Sequence, residues 1–255
     1  MAQVEKYKKI SETSGFCLDL AQELVIFASN YKINDAKMKQ GTQSATACGT
    51  PYNSRPAAIY VHGLASGANA ATGKALSKRF NNFNWITADF GEDLAANVRQ
   101  LNECVKEHKP LLIVGTSMGG LTLLYADAPD AVKIAINPAL SIADCVRNTI
   151  GLGIHPYFCK RMNGATEFEL TEQMCCDWER YIATHKPSLG KSSYAVFAIH
   201  DELLGDEASV VAQKIVGDCG YKVMVDPDGA HRIKPSTIDL IDNEIVSKEF
   251  HSNIK

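Results

Sequence analysis

The clearest structural signal in the chain is the segment Leu111–Gly120, which reads LLIVGTSMGG. An unbroken apolar run, typical of a strand buried on both faces, leads into the pattern Gly-x-Ser-x-Gly, and a helix-compatible run follows directly. Gly115 and Gly119 leave room for a sharp turn, so we expect the hydroxyl of Ser117 to project above the end of a sheet. The segment therefore predicts a nucleophile elbow with Ser117 as the candidate nucleophile.

Around this segment, short apolar runs alternate with longer amphipathic runs from about residue 57 onward. The predicted strands cover residues 57–62, 85–89, 111–115, 132–137, 194–200 and 221–226, and the predicted helices cover 73–80, 92–108, 118–126, 207–216 and 235–250. In the second helix, an apolar face is formed by Leu94, Val98, Leu101 and Val105. Alternation of this kind predicts an α/β fold with a mostly parallel, doubly wound sheet flanked by helices.

Two segments depart from the alternation and define the predicted domain organisation. Residues 1–55 are predicted to form an N-terminal extension, an amphipathic helix followed by a polar linker. Residues 56–255 are the predicted α/β domain, and residues 139–191 are an insertion that we expect to form a small helical cap. An apolar acyl pocket and the packing core of the cap are both compatible with its aromatic residues Tyr157, Phe158, Phe168 and Trp178.

The composition is that of an ordinary globular protein and shows neither the charge excess of a nucleic-acid-binding protein nor the long apolar run of a membrane span. The chain has 255 residues, 45% of them hydrophobic, and a formal net charge of −3. This excludes a disordered or fibrous chain and the strongly basic balance of a nucleic-acid-binding protein. The apolar stretches are far shorter than the roughly 20 residues that a membrane span requires. Scattered cysteines without metal-binding spacing, and no apolar leader at the N-terminus, predict a cytoplasmic protein with no metal site.

A serine needs a base and an acid before it can attack a carbonyl carbon, and in this architecture the acid and then the histidine follow it along the chain. Asp201 stands at the end of a predicted strand, where a side chain points into the crevice above the sheet. Asp206 is the alternative acid, although it fits better as a helix N-cap, and Glu202 is the weakest candidate. The candidate base is His231, in a turn-rich loop after the last predicted strand, whereas His251 lies in a polar tail.

Attack by a serine also requires an oxyanion hole, formed by two backbone N–H donors aimed at the developing negative charge. Met118, the residue after the candidate nucleophile, is expected to supply one donor. Leu64 lies in the loop after the first predicted strand and is the candidate for the second donor. His62 precedes Ser117 in the chain, so we expect it to brace this loop by hydrogen bonding rather than to act as the base.

Together these stretches resemble the α/β-hydrolase superfamily and, within it, the small esterases of the YqiA/YcfP type. The matching residues are Ile59–Gly63, Asp89–Phe90, Gly115–Gly120, Ile136–Ala139, His200–Glu202 and Gly229–Arg232. The resemblance implies a hydrolase that cleaves carboxylic esters or thioesters without a metal or cofactor. The implied site residues are Ser117, Asp201 and His231 as the catalytic triad, with Leu64 and Met118 as oxyanion donors. The chain departs from the family pattern at His200, where a glycine is common, and residues 1–55 have no counterpart.

Three other functions have to be weighed. The run Gly67–Ala75 resembles a phosphate-binding loop, but five residues separate its glycines, and the residue after Lys74 carries no hydroxyl. A hydrolase-fold protein that binds without catalysis and an acyltransferase that uses the same triad both stay open. The expected partner is a small ester or thioester substrate rather than a nucleic acid, no membrane span is expected, and assembly of several copies of the chain stays open.

Overall fold

The computed structural model describes residues 55–250, so almost all of the predicted N-terminal extension, and His251, lie outside the described residues. The strands are β1 Ala57–Val61, β2 Asn84–Thr87, β3 Leu112–Thr116, β4 Val132–Ile136, β5 Gly153–Pro156, β6 Glu167–Leu170, β7 Ser192–His200 and β8 Lys222–Ala230. The α-helices are α1 Ala71–Arg79, α2 Leu94–His108, α3 Met118–Tyr125, α4 Ile142–Cys145, α5 Glu172–Thr184, α6 Asp206–Asp218, α7 Pro235–Ile241 and α8 Ser247–Phe250. Within this range, six strands form one sheet in the order β2-β1-β3-β4-β7-β8.

Every neighbouring pair of strands in this sheet is parallel. The central strands are mostly apolar because helices cover both faces, and β4 is buried at every position, including its one charged residue, Lys133. Successive side chains point to opposite faces, so Ile134 and Ile136 contribute to one apolar cluster and Ala135 to another. The mostly parallel sheet that the sequence predicts is confirmed.

Helix α2 shows how the sequence pattern fixes a helix and its orientation. The side chain of Asp93 accepts a hydrogen bond from the backbone N–H of Ala96 and caps the first turn. On the predicted apolar face, Leu94 and Leu101 are fully buried against the sheet. No helix in the described part of the chain is both long and apolar enough to span a membrane.

Between β4 and β7 the chain forms more than helices. Helix α4 continues into the π-helical turn Val146–Ile150, the antiparallel hairpin β5–β6 follows, and α5 completes the segment. The hairpin is not among the predicted elements, because neither of its strands, GIHP and EFEL, contains a continuous apolar run. In β6, Phe168 and Leu170 are buried and alternate with exposed glutamates. Phe168 and Trp178 belong to the main apolar cluster, so these two aromatic residues serve as packing core, whereas Phe158 is exposed.

The topology brings four strand ends together at one edge of the sheet. Strands β3, β4, β7 and β8 are consecutive neighbours and parallel, so their carboxyl ends lie side by side. The residues that follow these ends are Ser117, Asn137, Asp201 and His231. In open parallel sheets, ligands bind outside this edge.

Candidate active site

Ser117 forms the turn between β3 and α3. Its backbone has φ 54° and ψ −119°, a conformation that residues other than glycine rarely adopt and that is typical of strained functional positions. The backbone N–H of Ser117 donates to the carbonyl oxygen of Ile136 at 2.9 Å, which fixes the turn against β4. The serine is thus held at the edge of the sheet by the backbone, independently of its side chain.

The two glycines that flank this turn occupy places where no side chain fits. A Cβ at Gly115 would lie 2.4 Å from the carbonyl oxygen of Gly119, and a Cβ at Gly119 would lie 2.1 Å from the carbonyl oxygen of Val61. Both distances are far shorter than van der Waals contact. The spacing of the glycines is therefore a requirement of the close approach between α3, β3 and the end of β1.

His231 and Asp201 form a direct pair. The Nδ1 atom of His231 lies 2.9 Å from Oδ1 and 3.0 Å from Oδ2 of Asp201, which is 3% exposed. A carboxylate only accepts hydrogen bonds, so Nδ1 carries the proton and Nε2 is left as the basic nitrogen. Among the described residues, the Ser117 hydroxyl makes no hydrogen bond to His231. Catalytic hydrogen bonds of this kind often form only when substrate is bound.

The loop after β1 passes directly over the candidate nucleophile. A Cβ placed on Gly63 would lie 3.7 Å from Oγ of Ser117. Within residues 55–250, the backbone N–H groups of Leu64 and Met118 donate to no protein acceptor. An oxyanion hole requires two backbone donors near the nucleophile, and that Leu64 and Met118 supply them stays a prediction.

His62 fixes the start of this loop from within the core. Its Nδ1 donates to the carbonyl oxygen of Gly63 at 2.8 Å, and its Nε2 accepts from the backbone N–H of Phe90 at 2.9 Å. This pattern requires the neutral imidazole. Burial, together with the nearby charge of Arg161, lowers the pKa of His62 to about 4. The ring is therefore a structural brace rather than a base.

The sequence of the same region identifies the family. Residues 57–191, more than half of the chain, match the profile of the Uncharacterised protein family (UPF0227). The chain belongs to this family. UPF0227 is the family of YqiA/YcfP type, so the resemblance seen in the sequence is confirmed. A search of curated proteins gave no match.

Solved structures with the same fold are remote in sequence from this UPF0227 chain. Alpha/beta hydrolase domain-containing protein 10 from mouse matches with a TM-score of 0.54 and 15% identity, over 76% of this chain and 90% of that chain. The esterase domain of a Rhodothermus marinus protein matches with a TM-score of 0.50 and 15% identity, over 78% of this chain and 88% of that chain. At these identities the likeness shows the fold alone, and it confirms the predicted α/β-hydrolase fold.

Two polar residues hold the loop of His231 in this UPF0227 protein, a role that the sequence did not predict for either of them. The Nδ2 of Asn137 donates to the carbonyl oxygens of Ala230 at 3.0 Å and His231 at 3.3 Å, and its Oδ1 accepts from the N–H of Ala198 at 2.8 Å. The carboxylate of Glu202 accepts from the backbone N–H of His231 at 3.0 Å. Asn137 lies in the Asn-Pro-Ala motif that matches the family, which was the available signal.

The alternative acids stand apart from the imidazole ring. Asp206 is exposed and is the first residue of α6, for which Gly205 is the N-cap. The expectation that Asp206 is the N-cap is therefore wrong by one position, because the cap falls on a glycine with φ 81°. Glu202 reaches the backbone of His231 and not its ring. Asp201 is the acid that the structure brings to His231.

Neither a phosphate nor a metal site emerges from the described residues of this family member. Gly73, in the run that resembles a phosphate-binding loop, lies inside α1, and a Cβ there would come 2.7 Å from the ring of Tyr60. This glycine serves the close packing of α1 on β1. In residues 55–250, no group of three or more His, Cys, Asp or Glu side chains could hold a metal ion.

Proposed function

We propose that this chain is a serine hydrolase that cleaves carboxylic esters or thioesters through an acyl-enzyme on Ser117. The observation that carries the proposal is the 2.9 Å contact between His231 Nδ1 and Asp201, at the same edge of the sheet as the strained turn of Ser117. The pair presents Nε2 of His231 as a base, and the turn presents a hydroxyl. The family match and the α/β-hydrolase fold support the same reaction class.

In the proposed first half-reaction, Nε2 of His231 takes the proton of the Ser117 hydroxyl while Oγ attacks the carbonyl carbon. The electron pair of the carbonyl bond moves to its oxygen, and the N–H groups of Leu64 and Met118 stabilise this oxyanion. Collapse of the tetrahedral intermediate breaks the bond to the alcohol or thiol, which leaves with the proton from His231. Asp201 stabilises the imidazolium in between.

In the second half-reaction, a water molecule gives a proton to His231 and attacks the acyl-enzyme. A second tetrahedral intermediate forms, and its collapse breaks the bond to Oγ of Ser117. The carboxylic acid leaves, and Ser117 recovers its proton from His231. Each oxyanion donor of this type contributes about 2.7–4 kcal/mol of transition-state stabilisation in enzymes where one was removed. The proposed steps use only groups of this chain and water.

The test is hydrolysis of p-nitrophenyl esters across acyl lengths. We expect Ser117→Ala and His231→Ala each to lower turnover at least about a thousandfold, because the residues act as one unit. Ser77→Ala is the matched control and keeps wild-type activity, because this serine lies in α1 and its hydroxyl donates to the carbonyl oxygen of Lys74. Thermal unfolding of all variants by circular dichroism shows whether the fold is unchanged. Wild-type turnover no higher than that of Ser117→Ala would contradict the proposal.

Two further experiments separate the alternatives. Covalent labelling of Ser117 by a fluorophosphonate distinguishes a hydrolase whose substrate is not mimicked by these esters from a protein that only binds. A competing alcohol distinguishes hydrolysis from acyl transfer, because a transferase yields a new ester in preference to the free acid. The proposed partner is therefore a small-molecule ester or thioester.

We also propose that the protein works in the cytoplasm. The cysteines of the described range, Cys104, Cys145, Cys159, Cys175, Cys176 and Cys219, are all free thiols. Free thiols in this number fit a reducing compartment better than an oxidising one.

A further inference from the structure

Arg161, between β5 and β6, is a buried cation whose side-chain hydrogen-bond partners belong to other parts of the chain. Its side chain is 4% exposed, which is rare for arginine unless its charge is compensated. Its Nη1 donates to the carbonyl oxygen of Ser66 at 2.6 Å, and its Nη2 donates to the carbonyl oxygen of Phe90 at 2.8 Å. The guanidinium thus joins the insertion to the loop that follows β1.

The charge of Arg161 is held in place by its surroundings. The Nε atom lies 3.6 Å from Oδ2 of Asp89, and the guanidinium stacks 4.5 Å from the ring centre of Tyr157. Asp89 also accepts from the backbone N–H groups of Ala68 at 2.8 Å and Met162 at 2.5 Å. The carboxylate and the guanidinium therefore clamp the same loop and the same insertion segment from two sides.

The loop held by this clamp carries the N–H of Leu64. On one side of Leu64, His62 bonds to the backbone of Gly63. On the other side, the carbonyl oxygen of Ala65 accepts from the backbone N–H of Phe158 at 2.7 Å, and the next carbonyl is the one bound by Arg161. The insertion therefore supplies both of these hydrogen bonds on the far side of Leu64.

We propose that Arg161 is a positioning residue that fixes the loop of Leu64 for stabilisation of the oxyanion. The proposal rests on the proposed function, since it assumes that this N–H is a catalytic donor. An oxyanion donor acts in the transition state and loses its effect when it is displaced by a fraction of an ångström. Removing the clamp therefore lowers kcat and leaves substrate binding, and so KM, nearly unchanged.

The decisive variant is Arg161→Lys. Lysine keeps the positive charge beside Asp89, so the partly buried carboxylate keeps its cation, but a single ammonium lacks the planar fork that reaches two carbonyls and stacks on Tyr157. Arg161→Met removes the charge as well and is the harsher second variant. The control is Arg147→Met, another arginine of the insertion, whose partners Glu172 and Glu179 are on the surface.

We measure kcat and KM for a p-nitrophenyl ester, together with hydrogen exchange of the loop amides of Ser66 and Ala68, which donate to Gly63 and Asp89. For Arg161→Lys we expect kcat to fall about 10- to 100-fold, KM to stay within about twofold, and the loop amides to exchange faster. Exchange in β3 and β4 serves as the measure of global folding and stays at the wild-type rate. Arg147→Met keeps wild-type kcat and wild-type exchange in the loop.

The outcomes separate this inference from the function on which it rests. Absence of Ser117-dependent turnover in the wild type overturns the proposed function and this inference with it. Ser117-dependent turnover that is unchanged in Arg161→Lys overturns the inference alone. So does a raised KM with an unchanged kcat, because Arg161 would then act on substrate binding rather than on the oxyanion.

Discussion

The carboxylate of Asp201 accepts from backbone donors as well as from the candidate base. Its Oδ1 accepts from the backbone N–H groups of Leu203 at 3.1 Å and Leu204 at 2.8 Å, in addition to Nδ1 of His231. These backbone bonds fix the carboxylate plane before any substrate binds. The orientation of the imidazole is therefore set by the turn after β7.

Asp201→Asn replaces the carboxylate by an amide of the same shape and so tests the role of this acid. Asp201→Asn puts an amide where His231 needs an acceptor and disturbs the tautomer, so we expect kcat/KM to fall about 10²- to 10⁴-fold. That loss is smaller than the loss for Ser117→Ala. Steady-state hydrolysis of a p-nitrophenyl ester measures both values. Equal kcat/KM for Asp201→Asn and wild type would contradict the role of Asp201 as the acid of the site.

The matched control for this substitution is Asp206→Asn. Asp206 is exposed at the start of α6, and among the described residues the carboxylate that bonds to the ring of His231 is that of Asp201. We therefore expect kcat/KM of Asp206→Asn to stay within about twofold of wild type, the size of effect usual for a surface substitution. A larger loss of kcat/KM for Asp206→Asn than for Asp201→Asn would show that Asp206, and not Asp201, is the acid of the site.

The order of residues along the chain was enough to predict a candidate triad, which stays a prediction, but not the residues that hold its loops. Ser117, Asp201 and His231 follow strands in a fixed order, which a sequence displays. Asn137 and Arg161 donate hydrogen bonds to backbone carbonyls 93 and 95 residues away, at Ala230 and Ser66. No local pattern encodes such a partner, so their roles become visible only in the folded chain.

At the scale of elements, α3 packs so closely on the end of β1 that residue 119 has to be glycine. Gly119→Ala would place a methyl group 2.1 Å from the carbonyl oxygen of Val61. Backbone atoms on both sides cannot rotate away, so we expect a loss of at least about 3 kcal/mol in the free energy of unfolding, the upper part of the range for overpacking. Urea unfolding of Gly119→Ala and wild type measures this difference in free energy.

The control for this substitution is Gly91→Ala. A Cβ at Gly91 meets nothing within 4 Å, and its φ is not in the left-handed region. We expect its free energy of unfolding to stay within about 0.5 kcal/mol of wild type. If Gly119→Ala and Gly91→Ala had similar free energies of unfolding, α3 could shift without cost. The claim that α3 packs too closely on β1 for a side chain at residue 119 would then be wrong.

Elements with a clear apolar run or a single apolar face were predictable, and elements without one were not. The six strands of the parallel sheet and α2 follow from apolar runs and a single apolar face. The hairpin β5–β6 was missed because neither of its strands contains a continuous apolar run and the segment between them is held by contacts with the loop after β1. The predicted helix 235–250 is interrupted by the π-helical turn Asp242–Val246.

At the scale of the whole molecule, Lys133 ties three parts of the domain together from inside the core. Its Nζ donates to the carbonyl oxygens of Ala126 at 3.0 Å and Ser188 at 2.8 Å, which belong to the end of α3 and the segment before β7. The side chain is fully buried in β4. Burial lowers the pKa of Lys133 to about 7.

This lysine makes stability depend on pH in a defined direction. Between pH 7 and the unfolded pKa of about 10.4, the unfolded chain binds a proton that the folded chain has released, so the free energy of unfolding rises with pH. We expect this free energy, relative to that of Lys133→Met, to rise with a slope approaching about 1.4 kcal/mol per pH unit from about pH 7.5 to 9.5. Denaturant unfolding at several pH values measures the difference.

The control is Lys214→Met, because Lys214 is on the surface and pairs with Asp218. Relative to that variant, the unfolding free energy of the wild type stays flat over the same range. A flat difference for Lys133→Met as well would mean that the oxygen acceptors around Lys133 keep its ammonium charged inside the fold.

The sheet order has a consequence for the timing of activity during synthesis. The serine turn uses neighbours that are complete once β4 has been made, whereas the candidate base follows β8, the edge strand that is added last. A chain grows from its N-terminus, and its early portions fold first. A nascent or prematurely terminated chain that lacks His231 therefore carries the hydroxyl without its base, and the proposed chemistry is switched on only by completion of the domain.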